Sequence, residues 1–165
     1  MRFAVLAGIA LAFSSFAASA APITPLEVID LDGNRHRLPA EWREGGVLIL
    51  GFSHDARAAM DQWVSDLDLR DNAQNWIEAP VIGAAAPALA RPMIRSSMRS
   101  RYSDARRAHI APVFENADAL IALAGPHAEE VVVLVLNPAG EIVARTEGAS
   151  TAANIAAIRS ALRAP

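Results

Sequence analysis

The chain has 165 residues, 53% hydrophobic and 20% charged, with a formal net charge of −3, enough for one domain with a real core. It contains no cysteine, which excludes a disulfide scaffold, a CxxC redox centre, a thiol nucleophile and Cys-based metal sites. All 15 basic residues are arginine, so lysine Schiff-base chemistry and a Walker-type phosphate lysine are excluded as well.

Met1-Arg2 is a short positive start, Phe3 to Phe13 is uncharged and apolar, and Ala18-Ser19-Ala20 fits a small-x-small cleavage site. In this order they read as a secretory signal peptide over 1–20, leaving 21–165 as a single domain. The apolar run is about 11 residues, against roughly 20 needed to span a bilayer. The best later candidate, Val131 to Leu136, is strand-length, so no transmembrane span is expected in the mature chain. The protein is expected to be exported, periplasmic or secreted.

Leu26 to Leu31 is strand-like, Asp32-Gly33-Asn34 is a turn, and Arg35 to Leu38 returns as the second arm of a hairpin. Pro39 to Glu44 suits one helical turn. Val47 to Phe52 is a continuous apolar run between Gly45-Gly46 and Ser53-His54-Asp55, as for a buried central strand. Ala56, Ala59, Met60, Trp63, Val64 and Leu67 fall on one helical face. Ser53 or Asp55 can cap that helix. A second strand is expected over Val81 to Ala84, entered at Pro80. A helix is expected from Pro92 to about Arg101, with Met93, Ile94 and Met98 as its apolar side, and a shorter one over Asp118 to Leu123. Val131 to Leu136 and Glu141 to Thr146 flank an Asn137-Pro138-Ala139-Gly140 turn. Ser150 or Thr151 caps a last helix whose face is Ile155, Ile158, Ala161 and Leu162. Strands alternating with helices predict an α/β sandwich on a mixed sheet.

This layout resembles the thioredoxin-like superfamily. Asp30 through Gly33 to Leu38 is similar to the D-x-x-G-x-x-x-x-L entry of exported members. Val47 to Phe52 with Met60 and Trp63 is similar to their central strand and active-site helix, and Val132 to Ala161 to their terminal strand–turn–strand–helix. Ile94-Arg95-Ser96-Ser97-Met98 and the stretch from Asn137 resemble the periplasmic YtfJ type. There is a looser similarity to the thioredoxin-like assembly factor of mitochondrial ATP synthase. The resemblance implies a thioredoxin-like mixed sheet sandwiched by helices, with an N-terminal β-hairpin. Where redox members carry C-x-x-C, this chain reads Ser53-His54-Asp55-Ala56-Arg57, so thiol–disulfide and peroxidase chemistry are excluded. The proline usual just before the C-terminal hairpin is not evident: Pro126 stands five residues before Val131, with His127 to Glu130 between.

Two candidate sites follow. Ser53, His54, Asp55 and Arg57 lie between a buried strand and a helix N-terminus, where α/β folds bind ligands and anions are stabilised. Simple capping explains the same residues. A Ser-His-Asp relay is excluded, because three adjacent residues cannot adopt it. The second site is an arginine segment: Arg91, Arg95 and Arg99 are four apart, followed by Arg101, Arg106 and Arg107. It predicts a basic face for an acidic envelope protein or anionic headgroups, or else a solvated face paired with the chain's own carboxylates. Nucleic acid is not expected as a partner, since arginines without interleaved aromatics do not make a base-stacking surface.

No cofactor and no metal are expected. His36, His54, His109 and His127 show no metal-site spacing. Asp30, Asp32 and Asn34 alternate like a calcium loop, but Arg35 stands where that loop needs glycine. Trp63 is expected in the core and Trp42 over the central strand, while Trp76 has no clear place.

The leading expectation is an exported, redox-inactive protein that acts by binding, as an assembly or chaperone-like accessory. One alternative is a small periplasmic enzyme using His54 as acid/base, which requires a pocket joining His54 to Arg95 or His127. The other is a structural envelope-interaction protein.

Overall fold

A computed structural model describes residues 22–70, 75–83, 86–115, 117–125 and 130–163. The predicted leader, Pro126 and His127 lie outside these.

The chain enters as an antiparallel hairpin, β1 (Leu26–Ile29) and β2 (Arg35–Leu38), with Leu26 opposite Leu38. Its turn is built around the buried Asp30. The Asp30 carboxylate accepts from the backbone N–H groups of Asp32 and Asn34, both at 2.8 Å, and from Asn34 Nδ2 at 2.9 Å. His36 Nε2 lies 3.1 Å away. Burial alone would raise the Asp30 pKa, but these bonds to the ionised form outweigh it and leave the pKa lowered. Gly33 holds φ +93 in this turn, a conformation that costs a side-chain-bearing residue about 1 kcal/mol or more.

The main sheet has the order β4-β3-β5-β6. Strand β3 (Gly46–Gly51) is buried at every residue and lies between β4 (Trp76–Pro80), which is parallel to it, and β5 (Val131–Leu136), which is antiparallel. Strand β6 (Ile142–Glu147) alternates between partial burial and exposure, as a sheet edge should. The expected mixed sheet with an N-terminal hairpin is therefore observed. One strand needs correction. The strand expected over Val81 to Ala84 lies at Trp76–Pro80, and Pro80 ends it opposite Gly51 rather than starting it. An acid in mid-strand, Glu78, hid this strand from the apolar pattern. Its outer edge is covered by the extended segment from His109 to Val113. Glu78 N donates to His109 O at 2.8 Å, and Val113 N to Pro80 O at 2.9 Å.

Helices cover both faces. They are α1 (Ala56–Asp66), α2 (Arg91–Arg99), α3 (Asp104–Arg107), α4 (Ala117–Ala124) and α5 (Ala152–Leu162). Alternate residues of β3 feed two cores. Leu48 and Leu50 pack with Trp42, Leu120 and the hairpin. Val47 and Ile49 pack with Met60, Trp63 and Val64 of α1 and with Ile158 of α5. Trp63 is fully buried, and its indole N–H donates to Gly148 O at 2.8 Å. Trp76 is buried in this second core as well. Thr151 caps α5, accepting from Asn154 N at 3.2 Å.

Candidate functional site

The C-terminal ends of β3 and β4, the first turns of α1 and the facing side of α2 enclose a cleft of about 600 Å³. Its floor includes Gly51, Met60, Glu78 and Pro80. A Cβ on Gly51 would lie 2.3 Å from Met60 Sδ, so only glycine lets that thioether reach the strand. Met93, Ile94, Ser97 and Met98 of α2 form the facing wall. No residue of α2 is buried, and Met93 is 72% exposed. The face predicted as the helix's contact side therefore borders open space.

The loop residues divide. Ser53, His54 and Arg57 line the cleft. Ser53 Oγ accepts from Ala56 N at 3.0 Å and thereby caps α1, the role expected of either Ser53 or Asp55. The side chains of His54 and Asp55 are fully exposed, 3.7 Å apart, and Asp55 does not line the cleft. Arg57 sits 5.4 Å over the Tyr102 ring and 3.9 Å from Asp61.

The arginine stripe faces the protein's own acceptors. Arg91 pairs with Glu115 at 2.8 Å. Arg95 donates to Ile29 O and Asp30 O, both at 3.2 Å, and to Pro112 O at 3.4 Å, and it lies 5.3 Å over Phe114. Arg99 pairs with Asp32 at 3.1 Å and keeps about half its side chain exposed. Arg107 joins Asp32 and Asp104, both at 2.9 Å. These contacts tether α2 and α3 to the hairpin and to the segment after α3. Arg95 does not line the cleft, so this cleft does not join it to His54.

Sequence reasoning missed a charged network under the cleft. Glu78 is 2% exposed. Arg106 meets it with Nε at 3.1 Å and Nη2 at 2.8 Å, and also pairs with Asp61. Burial pushes the Glu78 pKa up to about 7, against the opposing pull of Arg106. Burial would lower the Arg106 pKa, but the Glu78 and Asp61 charges raise it on balance. The two directions are consistent: burial resists the carboxylate charge, and once formed, that charge holds the guanidinium proton. Tyr102 lies under this network, 5.0 Å from Arg106, and burial raises its pKa. The available signal was Glu78 itself, the sole charged residue between Asn75 and Ala90.

No protein-family model and no curated protein matches the chain in sequence. Solved structures do match it in shape. It is similar to the exposed lipoprotein thioredoxin of Streptococcus pneumoniae, with a TM-score of 0.55 and 11% identity over 85% of this chain and 98% of that one. It is similar to a thioredoxin-family thiol:disulfide interchange protein from Chlorobium tepidum, with a TM-score of 0.55 and 14% identity over 88% and 98%. A third similar structure is BsSco, of the Sco family of cytochrome c oxidase assembly proteins, with a TM-score of 0.58 and 13% identity over 87% and 94%. At these identities the likeness carries the fold, which is thioredoxin-like, and leaves function to the site.

Proposed function

We propose that this is an exported binding protein, cleaved after Ala20 and folded as one domain over 21–165. Its cleft receives an apolar segment of a partner polypeptide, in an assembly or chaperone-like role. The observation that carries this reading is the cleft wall of Met60, Met93, Ile94 and Met98 at the C-terminal ends of β3 and β4. Unbranched thioethers adapt to varied apolar side chains, as promiscuous binding surfaces require. A chain without cysteine cannot hold a partner there through a disulfide. A polypeptide fits better than a compact ligand because the apolar surface runs on past the cleft. Leu89, 96% exposed, stands one turn before Met93. Ile94, Ser97 and Met98, within the segment resembling the YtfJ type, form part of this wall.

Titrating the protein with a labelled leucine-rich dodecapeptide tests this reading. Met98→Glu places a charge on the apolar wall and is expected to weaken binding by about tenfold or more. His54→Ala, at the exposed lip, is expected to change it by less than about threefold. Equal binding by the wild-type and Met98→Glu proteins would sink the assignment. Loss of binding in His54→Ala alone would move the site to the loop.

A further inference from the structure

Behind the cleft, on the other side of Arg101 and Tyr102, lies a second and smaller cavity of about 320 Å³. Among the described residues its lining is Arg70, Trp76, Arg101, Tyr102, Ser103, Ala105, Arg106 and His109, which includes three guanidinium groups and no acid. Arg106 is already committed to Glu78 and Asp61. Arg70 and Arg101 have no carboxylate within salt-bridge distance among the described residues, although the Arg70 charge acts on Glu78 through space, so neither guanidinium is held in a close ion pair there. His109 is fixed. Its ring stacks on Trp76 at 4.1 Å and 6°, and Nδ1 donates to Trp76 O at 3.0 Å. A backbone carbonyl can only accept, so Nδ1 carries a proton and Nε2 is left for another partner. Tyr102 and Ser103 add hydroxyl groups to the lining.

We propose that this cavity binds a phosphate monoester group, with Arg70 and Arg101 as its principal ligands. Guanidinium forks match phosphate oxygens bidentately. A monoester near neutral pH carries close to two negative charges, so two guanidinium groups attract it more strongly than they attract a singly charged carboxylate. The cavity is at the small end of ligand sites, so a small ester fits and a nucleotide does not. His109, stacked on the buried Trp76, supplies a flat ring beside the ester's organic part. Arg70 lines only the smaller cavity, so its replacement tests this site separately from the peptide reading of the cleft, whereas Arg101 borders both.

Calorimetric titration of the full chain with inorganic phosphate, phenyl phosphate and acetate, at low salt and a pH of about 7.5, tests the proposal. Both phosphates are expected to bind saturably, acetate about tenfold more weakly, and added salt is expected to weaken all three. Arg70→Gln and Arg101→Gln are each expected to weaken phosphate binding by about tenfold. Arg35→Gln, on the exposed hairpin, is expected to change nothing. Co-sedimentation with phosphatidic acid vesicles separates the sources. Binding that Arg70→Gln abolishes identifies a lipid headgroup, and soluble binding without co-sedimentation identifies a free ester. The proposal is overturned by an absence of saturable phosphate binding at millimolar concentrations. Acetate binding as tightly as phosphate, or equal losses in Arg70→Gln and Arg35→Gln, would also overturn it.

Discussion

Replacing Arg106 with glutamine is expected to cost about 3 kcal/mol of stability near pH 8 and about half that near pH 6. The constant part is the loss of the guanidinium from Glu78, Asp61 and the Tyr102 ring. The pH-dependent part comes from Glu78. In the wild type its folded pKa of about 7 stands above the ordinary glutamate value of about 4.5. The folded state therefore binds the proton more tightly, and stability falls as pH rises through that window, by about 3 kcal/mol in all. Without Arg106 the carboxyl stays protonated to higher pH, so the decline continues where the wild type levels off. The gap between the two proteins then opens above pH 7 by about 1.4 kcal/mol per pH unit. Urea unfolding at the two pH values measures this. Glu78→Gln in the Arg106→Gln background should remove the pH-dependent part and leave the constant one. An equal loss at both pH values would mean that Glu78 is not the group left uncompensated.

That network also shows where sequence reading stops. Elements whose stability is local or periodic were legible. The β-branched run of β5, the hairpin turn around Gly33, the face of α1 and the Thr151 cap all follow from spacing and turn chemistry. Strand β4 was misplaced because Glu78 reads as an intruder in an apolar strand. It becomes acceptable only beside Arg106, 28 residues away. The arginine stripe was legible in part. Its spacing was read correctly as one helical face, but the acceptors for Arg95 are backbone carbonyls at positions 29, 30 and 112. Every residue has a carbonyl, so no pattern of side chains marks those three. Met93, Ile94 and Met98 have the spacing of a packed face, and spacing alone does not say whether a facing element comes close enough to close the gap.

Arg95 therefore governs the cleft from outside it. Helix α2 buries no residue of its own, so its position depends on Arg91, Arg95 and Arg99 rather than on a packed stripe. Of these, Arg95 has the most to lose. Burial lowers its pKa while the Asp30 charge pulls the other way, the signature of a cation held in the fold rather than in solvent. Arg95→Glu places a carboxylate against three carbonyl oxygens and beside the fully buried Asp30. It is expected to cost about 2–4 kcal/mol, to speed amide exchange in α2 and to abolish dodecapeptide binding. Arg99→Glu breaks a half-exposed pair with Asp32 and is expected to cost under about 1 kcal/mol, with binding nearly retained. Urea unfolding and hydrogen exchange on the two variants check the difference. A surface built for an acidic partner predicts the opposite pattern. Both charge reversals would then leave stability and peptide binding intact and lose the partner equally, because a docking face counts charges whereas a tether depends on which carbonyls the guanidinium reaches.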